Sequence, residues 1–268
     1  MSNFSKQTLC LTESGNKSLC NVLKTVTLVF YLFSWNCTQL SAITISNIDV
    51  IKKYPHDNTA FTQGLEFHEG KIYESTGLRG SSELRKIELE TGRVLQRRPL
   101  DPQLFGEGIT ILQKKVFQLT WKSGNGFVYD LDSFDLVREF KISGEGWGLS
   151  NDGNSLLLSN GSNQILFLDP QTFRIEKRIS VTLDGEPQHL LNELEYVDGE
   201  IWANIWQKDE ILRIDPLTGI VFGILDLGTI SERRSNDDVA NGIAWDEKGK
   251  KVYITGKFWK HIYEIRIR

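Results

Sequence analysis

Two sequence markers that recur five times in one register predict an all-β fold, a five-bladed β-propeller. A strand that the last repeat lacks is present before the first, so the N-terminal strand is expected to complete the last blade. The first marker is a strand–turn–strand unit: GLEFHEGKIYEST (64–76), GITILQKKVFQLTW (108–121), GLSNDGNSLLLSN (148–160), ELEYVDGEIWANIW (193–206) and GIAWDEKGKKVYITG (242–256). Aligning Leu65, Ile109, Leu149, Leu194 and Ile243 gives steps of 44, 40, 45 and 49 residues. The second marker is an acidic turn between strands, at Glu88, Asp130, Asp169, Asp215 and Glu264, spaced 42, 39, 46 and 49. Four strands in a repeat of this length is the pattern of a propeller blade.

In chain order, residues 1–44 read as a signal peptide or leader and residues 45–268 as the propeller. Lys17 and Lys24 precede a charge-free, largely apolar run, residues 26–35, and small or polar residues follow as far as Ala42. That run is about half the ~20 residues of a membrane-spanning helix and fits a secretory signal cut near Ala42. An uncleaved anchor and a structural segment are the alternatives, and a membrane enters only if the leader stays on. Cys10, Cys20 and Cys37 all lie in the leader. The remaining chain therefore has no thiol for disulfides or catalysis. An exporting leader and a cysteine-free domain place the protein in the periplasm or outside the cell.

Residues 48–54 (IDVIKKY) supply the strand that closes the ring, so neither end of the chain is left as an open sheet edge. Repeats one to four then each add an outer strand after the acidic turn: RVLQRRPL, LVREFKI, RIEKRISV and IVFGILDL. The fifth stops at Arg268 without one. A helical turn has room only near residues 190–193 or at 230–240, within the loop 228–240. That loop, GTISERRSNDDVA, is the longest polar insertion, either a solvated excursion or a lid over the channel.

The chain of 268 residues carries 31 basic and 35 acidic side chains, a net charge of −4. Scattered charges of both signs leave no basic footprint for nucleic acid. His56, His68, His189 and His261 are widely separated and show no metal-ligand spacing. A nucleophile elbow, a phosphate loop and a dinucleotide fingerprint are all missing. Acidic residues at the turns, such as Asp169 and Asp215, are explained as turn formers.

The residues that begin the inner strands converge at the axis of a propeller. Here they are Gln63, Glu107, Trp147, Asn192 and Asn241, four of them polar. Polar packing around an axial water column is the plain explanation. Glu107 stands apart, because Phe105-Gly106-Glu107-Gly108 lets backbone approach closely while an aromatic ring shields the carboxyl group. A shielded carboxyl suits acid–base work near neutrality. Trp121, Trp147, Trp206 and Trp259, with Phe61 and Phe105, fall near the same strand ends, whereas Trp202 and Trp245 read as core. Lys257 adds one cation at that level.

FTQGLEF (61–67), YESTGLRGSS (73–82), FGEGIT (105–110), LTW (119–121), GEGWGLS (144–150), LNELEY (191–196), WANIW (202–206), NGIAWD (241–246) and TGK (255–257) occur in order. Together they resemble the plant and bacterial type of glutaminyl-peptide cyclotransferase, over residues 47–268. The resemblance implies an acyltransferase that converts N-terminal glutamine of peptides or proteins to pyroglutamate and releases ammonia. It implies Glu107 as catalytic acid–base and Lys257 as a second catalytic group, aiding proton transfer or facing the oxyanion. Gln63 and Asn192 would hold the substrate, and Phe61, Phe105, Trp121, Trp147 and Trp206 would wall its pocket. No metal and no cofactor are implied, since this type is unrelated to the zinc-dependent animal enzyme, and a monomer is expected. Two other readings stay open on the residues alone. One is a non-catalytic propeller that binds a peptide or surface partner, because fold does not fix function. The other is a calcium-dependent propeller hydrolase, which would need axial Asp, Asn and Glu ligands.

Overall fold

Short segments that alternate apolar and polar residues, punctuated by turn formers, fold here as strands, nearly all of them paired antiparallel. The computed structural model describes residues 43–268, and among them there is no helix. The leader lies outside the described residues. In chain order the strands are β1 (Thr44–Ser46), β2 (Ile48–Pro55), β3 (Thr62–His68), β4 (Lys71–Thr76), β5 (Glu83–Glu88) and β6 (Arg93–Pro99). Next come β7 (Gly106–Leu112), β8 (Lys115–Thr120), β9 (Asn125–Asp130), β10 (Leu136–Lys141), β11 (Leu149–Asn151), β12 (Leu156–Leu158), β13 (Gln164–Leu168) and β14 (Ile175–Ser180). The chain continues with β15 (Thr182–Leu183), β16 (Glu186–Pro187), β17 (Leu191–Val197), β18 (Glu200–Ile205), β19 (Glu210–Ile214) and β20 (Val221–Asp226). It ends with β21 (Ala240–Asp246), β22 (Lys251–Gly256) and β23 (His261–Ile267).

Five blades result, ordered β3-β4-β5-β6, β7-β8-β9-β10, β11-β12-β13-β14, β17-β18-β19-β20 and β21-β22-β23-β2. The last confirms the predicted closure: β2 pairs antiparallel with β23 from Ile48↔Ile267 to Pro55↔His261. Two elements escaped the sequence reading because they are too short to show a period. β1 adds a parallel fifth strand outside β20, and β15 and β16 form a small hairpin. Residues 190–193 are not helical, since β17 begins at Leu191.

The two markers have separate physical causes. Leu65, Ile109, Leu149, Leu194 and Ile243 are all fully buried, each on an innermost strand. They pack between blades, and the five apolar clusters of the core correspond to the five blade-to-blade junctions. The acidic turns are self-capped. One carboxylate oxygen each of Asp130, Asp169 and Asp215 accepts two backbone N–H groups from the residues just after it. Together with the Thr172 hydroxyl, the largest influence on Asp169, these hydrogen bonds hold the three carboxyls below the usual range. Acidic residues recur there because the turn needs an acceptor.

The innermost strands β3, β7, β11, β17 and β21 touch one another in a closed ring. Contact is backbone to backbone: a Cβ on Gly108 would come within 2.4 Å of the Leu149 nitrogen, and one on Gly148 within 2.0 Å of the Asn192 carbonyl oxygen. Four repeats carry glycine just before the buried marker; the fourth repeat carries Glu193 instead. Its side chain crosses the axis, accepting Leu65 N–H at 3.3 Å and Ile243 N–H at 2.9 Å. One acidic side chain thus ties three blades together midway along the channel and separates its two mouths.

Candidate active site

Each residue that precedes an inner-strand glycine, or Glu193, lies at one mouth of the channel. Gln63 is on β3, Glu107 on β7, Asn192 on β17 and Asn241 on β21, all buried, while Trp147 sits just ahead of β11. The polar members form a chain. Asn241 Nδ2 donates to Gln63 Oε1 at 2.9 Å and to the Thr62 carbonyl at 2.9 Å, and Gln63 Nε2 donates to Glu107 Oε2 at 2.8 Å. The Asn192 side-chain amide makes no hydrogen bond among the described residues, which leaves its donors and acceptor for another molecule.

Burial pushes the Glu107 carboxyl well above the usual carboxylate range; the Lys257 charge and the Gln63 donor oppose that rise, and the Glu145 charge adds to it. Burial likewise pushes the Lys257 ammonium down to about 8, against attraction from Glu107 and Asp237. A carboxyl raised toward neutrality beside an ammonium lowered toward it is the arrangement in which protons move at little cost.

Aromatic rings form an arc around these groups. Lys257 Nζ lies 4.7 Å over the Phe61 ring, and Phe61 meets Phe105 edge to face at 6.0 Å. Phe105 continues to Trp121 at 5.5 Å, and Trp147 meets Trp206 edge to face at 5.8 Å. Trp206 follows β18 and is 37% exposed, so it forms the open rim. The loop carrying Lys257 is fixed from behind, where His56 spans Glu74 Oε1 at 2.9 Å and the Trp259 carbonyl at 2.8 Å.

All nine residues expected at the site therefore share one mouth. Trp259 is the exception among the tryptophans read toward it: its side chain is fully buried in the core, and a Cβ on Gly256 would strike its indole. Phe258 takes that place, with its ring 5.1 Å from Phe61. Trp202 is core as expected, and Trp245 packs against the same apolar cluster while its outer edge lines the opposite face. The loop 228–240 is strapped down, Arg233 donating to the Gln207 carbonyl and Arg234 to Asp238 and the Phe258 carbonyl.

A cavity of about 830 Å³ is at the other mouth, lined by Glu66, Ser150, Asn151, Glu195 and Trp245 among others. It contains none of the mouth residues above, and its buried carboxylates already accept neighbouring N–H and O–H groups. Among the described residues no group of three or more His, Cys, Asp or Glu side chains is arranged to hold a metal ion.

A family model described as glutamine cyclotransferase matches residues 24–267. The chain belongs to this family. It is 39% identical over 246 residues to the glutaminyl-peptide cyclotransferase of Arabidopsis thaliana, a match spanning 88% of this chain and 77% of that one. Its fold superposes on the crystal structure of Myxococcus xanthus glutaminyl cyclase with a TM-score of 0.79 at 34% identity, covering 84% of this chain and 98% of the other. Two further residues lie among these groups without having been expected there. Asn241 was placed at an inner-strand start but given no role. Glu145 lies in GEGWGLS, which carries part of the resemblance but no role of its own, although an acid between two glycines beside a tryptophan is a signal in itself.

Proposed function

We propose that this chain closes the N-terminal glutamine of peptides and proteins to pyroglutamate with release of ammonia, and that Glu107 carries the proton. The observation that supports this most directly is a buried carboxyl, raised by burial above the usual range and held by Gln63 within an aromatic arc. The substrate's own amine attacks its own side-chain carbonyl, so proximity is built in and the pocket has only to hold a reactive conformer. An apolar, partly dehydrated wall disfavours the ammonium form of that amine.

The amine nitrogen forms a bond to the side-chain carbon and the carbonyl becomes an oxyanion. Glu107, as carboxylate, takes one proton from the attacking nitrogen. Glu107 then returns that proton to the departing amide nitrogen, the carbon–nitrogen bond breaks and neutral ammonia leaves. The Lys257 ammonium and the Asn192 amide are donors suited to the oxyanion. No step consumes an outside reagent, and the proton ends on ammonia.

The peptide chain beyond glutamine would leave past Trp206. We place the protein in the periplasm or outside the cell, on the strength of the apolar run at residues 26–35 and the lack of cysteine after Cys37. The test is ammonia release from a glutamine-initiated peptide by the purified protein, with and without a strong chelator. Chelator-resistant release with loss of one ammonia from the peptide mass is the expected result. No release by folded protein from several such peptides would leave the peptide-binding propeller as the better reading.

A further inference from the structure

The aromatic arc has one polar joint. Phe61, Phe105 and Trp121 make one run of touching rings, and Trp147 and Trp206 make another. Trp121 follows β8 in the second blade, whereas Trp147 precedes β11 in the third. Between them Glu145 Oε2 accepts the Trp121 indole N–H at 2.8 Å and the Trp147 indole N–H at 3.0 Å. A single carboxylate oxygen therefore connects the two runs.

Resting on the cyclase reading of the site, we propose that Glu145 is a positioning residue that sets the planes of Trp121 and Trp147 and so shapes the substrate pocket.

An indole N–H in a partly dehydrated wall needs an acceptor, and two such donors converging on one oxygen fix both rings at once. The loop is built to deliver that oxygen. Gly144 adopts φ +87°, and Gly146 lies so close to Ile142 and Leu119 that a Cβ would approach them to 2.8 and 3.2 Å. The Gly146 N–H also donates to the Trp121 carbonyl at 3.4 Å, which ties the turn to the residue it orients. Lys122 guards the arrangement from outside. Its Nζ lies 3.8 Å from the other Glu145 oxygen and 4.1 Å over the Trp121 ring. Glu145 is half-exposed, so the fold does not need its carboxylate for burial, and its geometry is explained by the two indoles.

Positioning by an accepted hydrogen bond makes a distinctive prediction, because a glutamine side chain keeps an acceptor oxygen while losing the charge. Walls that touch substrate in ground and transition states alike contribute uniform binding, so loosening them raises KM and spares kcat. E145A is expected to raise KM for a glutamine-initiated peptide about tenfold with kcat within about twofold. E145Q should keep KM within about twofold of the wild type, the acceptor being retained. Near-ultraviolet circular dichroism, which reads tryptophan environments without turnover, should change in E145A and be preserved in E145Q. Unchanged KM and spectrum in folded E145A would overturn the proposal, as would E145Q as impaired as E145A, or a fall in kcat at constant KM. A wild-type protein that releases no ammonia would defeat the cyclase reading, and the spectral comparison would still test Glu145.

Discussion

Gln63 donates to Glu107 at 2.8 Å across the junction of the first two blades, and Asn241 holds the other end of the same amide at 2.9 Å. The amide cannot turn over without losing both bonds, so a donor, not an acceptor, faces the acid. Glu107 is thus presented with one oxygen fixed by an amide donor. Replacing it tests the proton-carrier role: Glu107→Gln is near-isosteric but cannot take up a proton. The expected outcome is a fall in kcat of at least ~10²-fold, the lower end of a general acid–base contribution, with KM little changed. Ammonia release by protein of native circular dichroism is the measurement, and near-normal turnover would remove Glu107 from that role.

The Gln63 donor also sets a pH limb. A hydrogen bond to the ionised carboxyl favours ionisation, so it opposes the rise that burial imposes on Glu107. Gln63→Leu removes it and should move the Glu107 carboxyl still higher. Because the reaction begins with Glu107 as carboxylate, the acid limb of kcat/KM should shift to higher pH in that variant. Its deficit should then be larger at pH 6 than at pH 8 when the two profiles are compared. A uniform loss at every pH would mean that Gln63 serves substrate binding alone.

Lys257 sets the opposite limb. Burial brings its ammonium down to about 8, so the charge that faces the oxyanion is lost as pH rises through that value. Wild-type activity should decline there. Lys257→Met should be impaired at all pH values. Lys257→Arg retains a cation that does not deprotonate in this range, so the alkaline decline should vanish even if turnover is lower throughout. A full pH profile of both variants is the check, and an unchanged alkaline limb in Lys257→Arg would assign that limb to another group.

Much of this was legible in the sequence because it depends on period. Burial between blades demands an apolar residue once per repeat, as at Leu65 and its four equivalents, and the acidic turn demands an acceptor once per repeat. Both are local requirements that a sequence displays. The inner-strand starts follow from the same register, which is why Gln63, Glu107 and Asn192 could be placed at one mouth before any coordinates. What stayed hidden depends on the third dimension. Trp259 and Phe258 are adjacent in the chain, and which of the two faces the pocket is decided by Gly256, which leaves room for the indole to pack inward. Phe258 itself takes φ +60°, a conformation no sequence pattern announces for an aromatic residue. Glu145 bonds to two side chains in neighbouring blades, and β1 pairs with a strand far along the chain.

The far mouth of the channel gives a stability prediction that is independent of catalysis. Burial drives the Glu66 carboxyl up to about 7, against the Thr110 hydroxyl and Ile111 N–H that it accepts. Burial, and the charges of Glu66 and Glu193, raise Glu195 well above the usual range. A folded-state value above the unfolded one means that the folded protein binds the proton more tightly. The associated stability is fully present below about 4.5 and is lost as pH rises toward about 7, where the folded carboxyl must ionise at last. Glu66→Gln keeps one oxygen for Thr110 and Ile111 and never ionises. It should therefore match the wild type at pH 4 and exceed it at pH 8, by about 1–3 kcal/mol from a difference of roughly two pH units. For a domain of this size that corresponds to about 2–4 °C in Tm per kcal/mol. Thermal unfolding of both proteins at the two pH values decides it: an equal Tm at pH 8 would mean that Glu66 ionises in the fold without strain, with solvent or a cation in the 830 Å³ cavity meeting its charge.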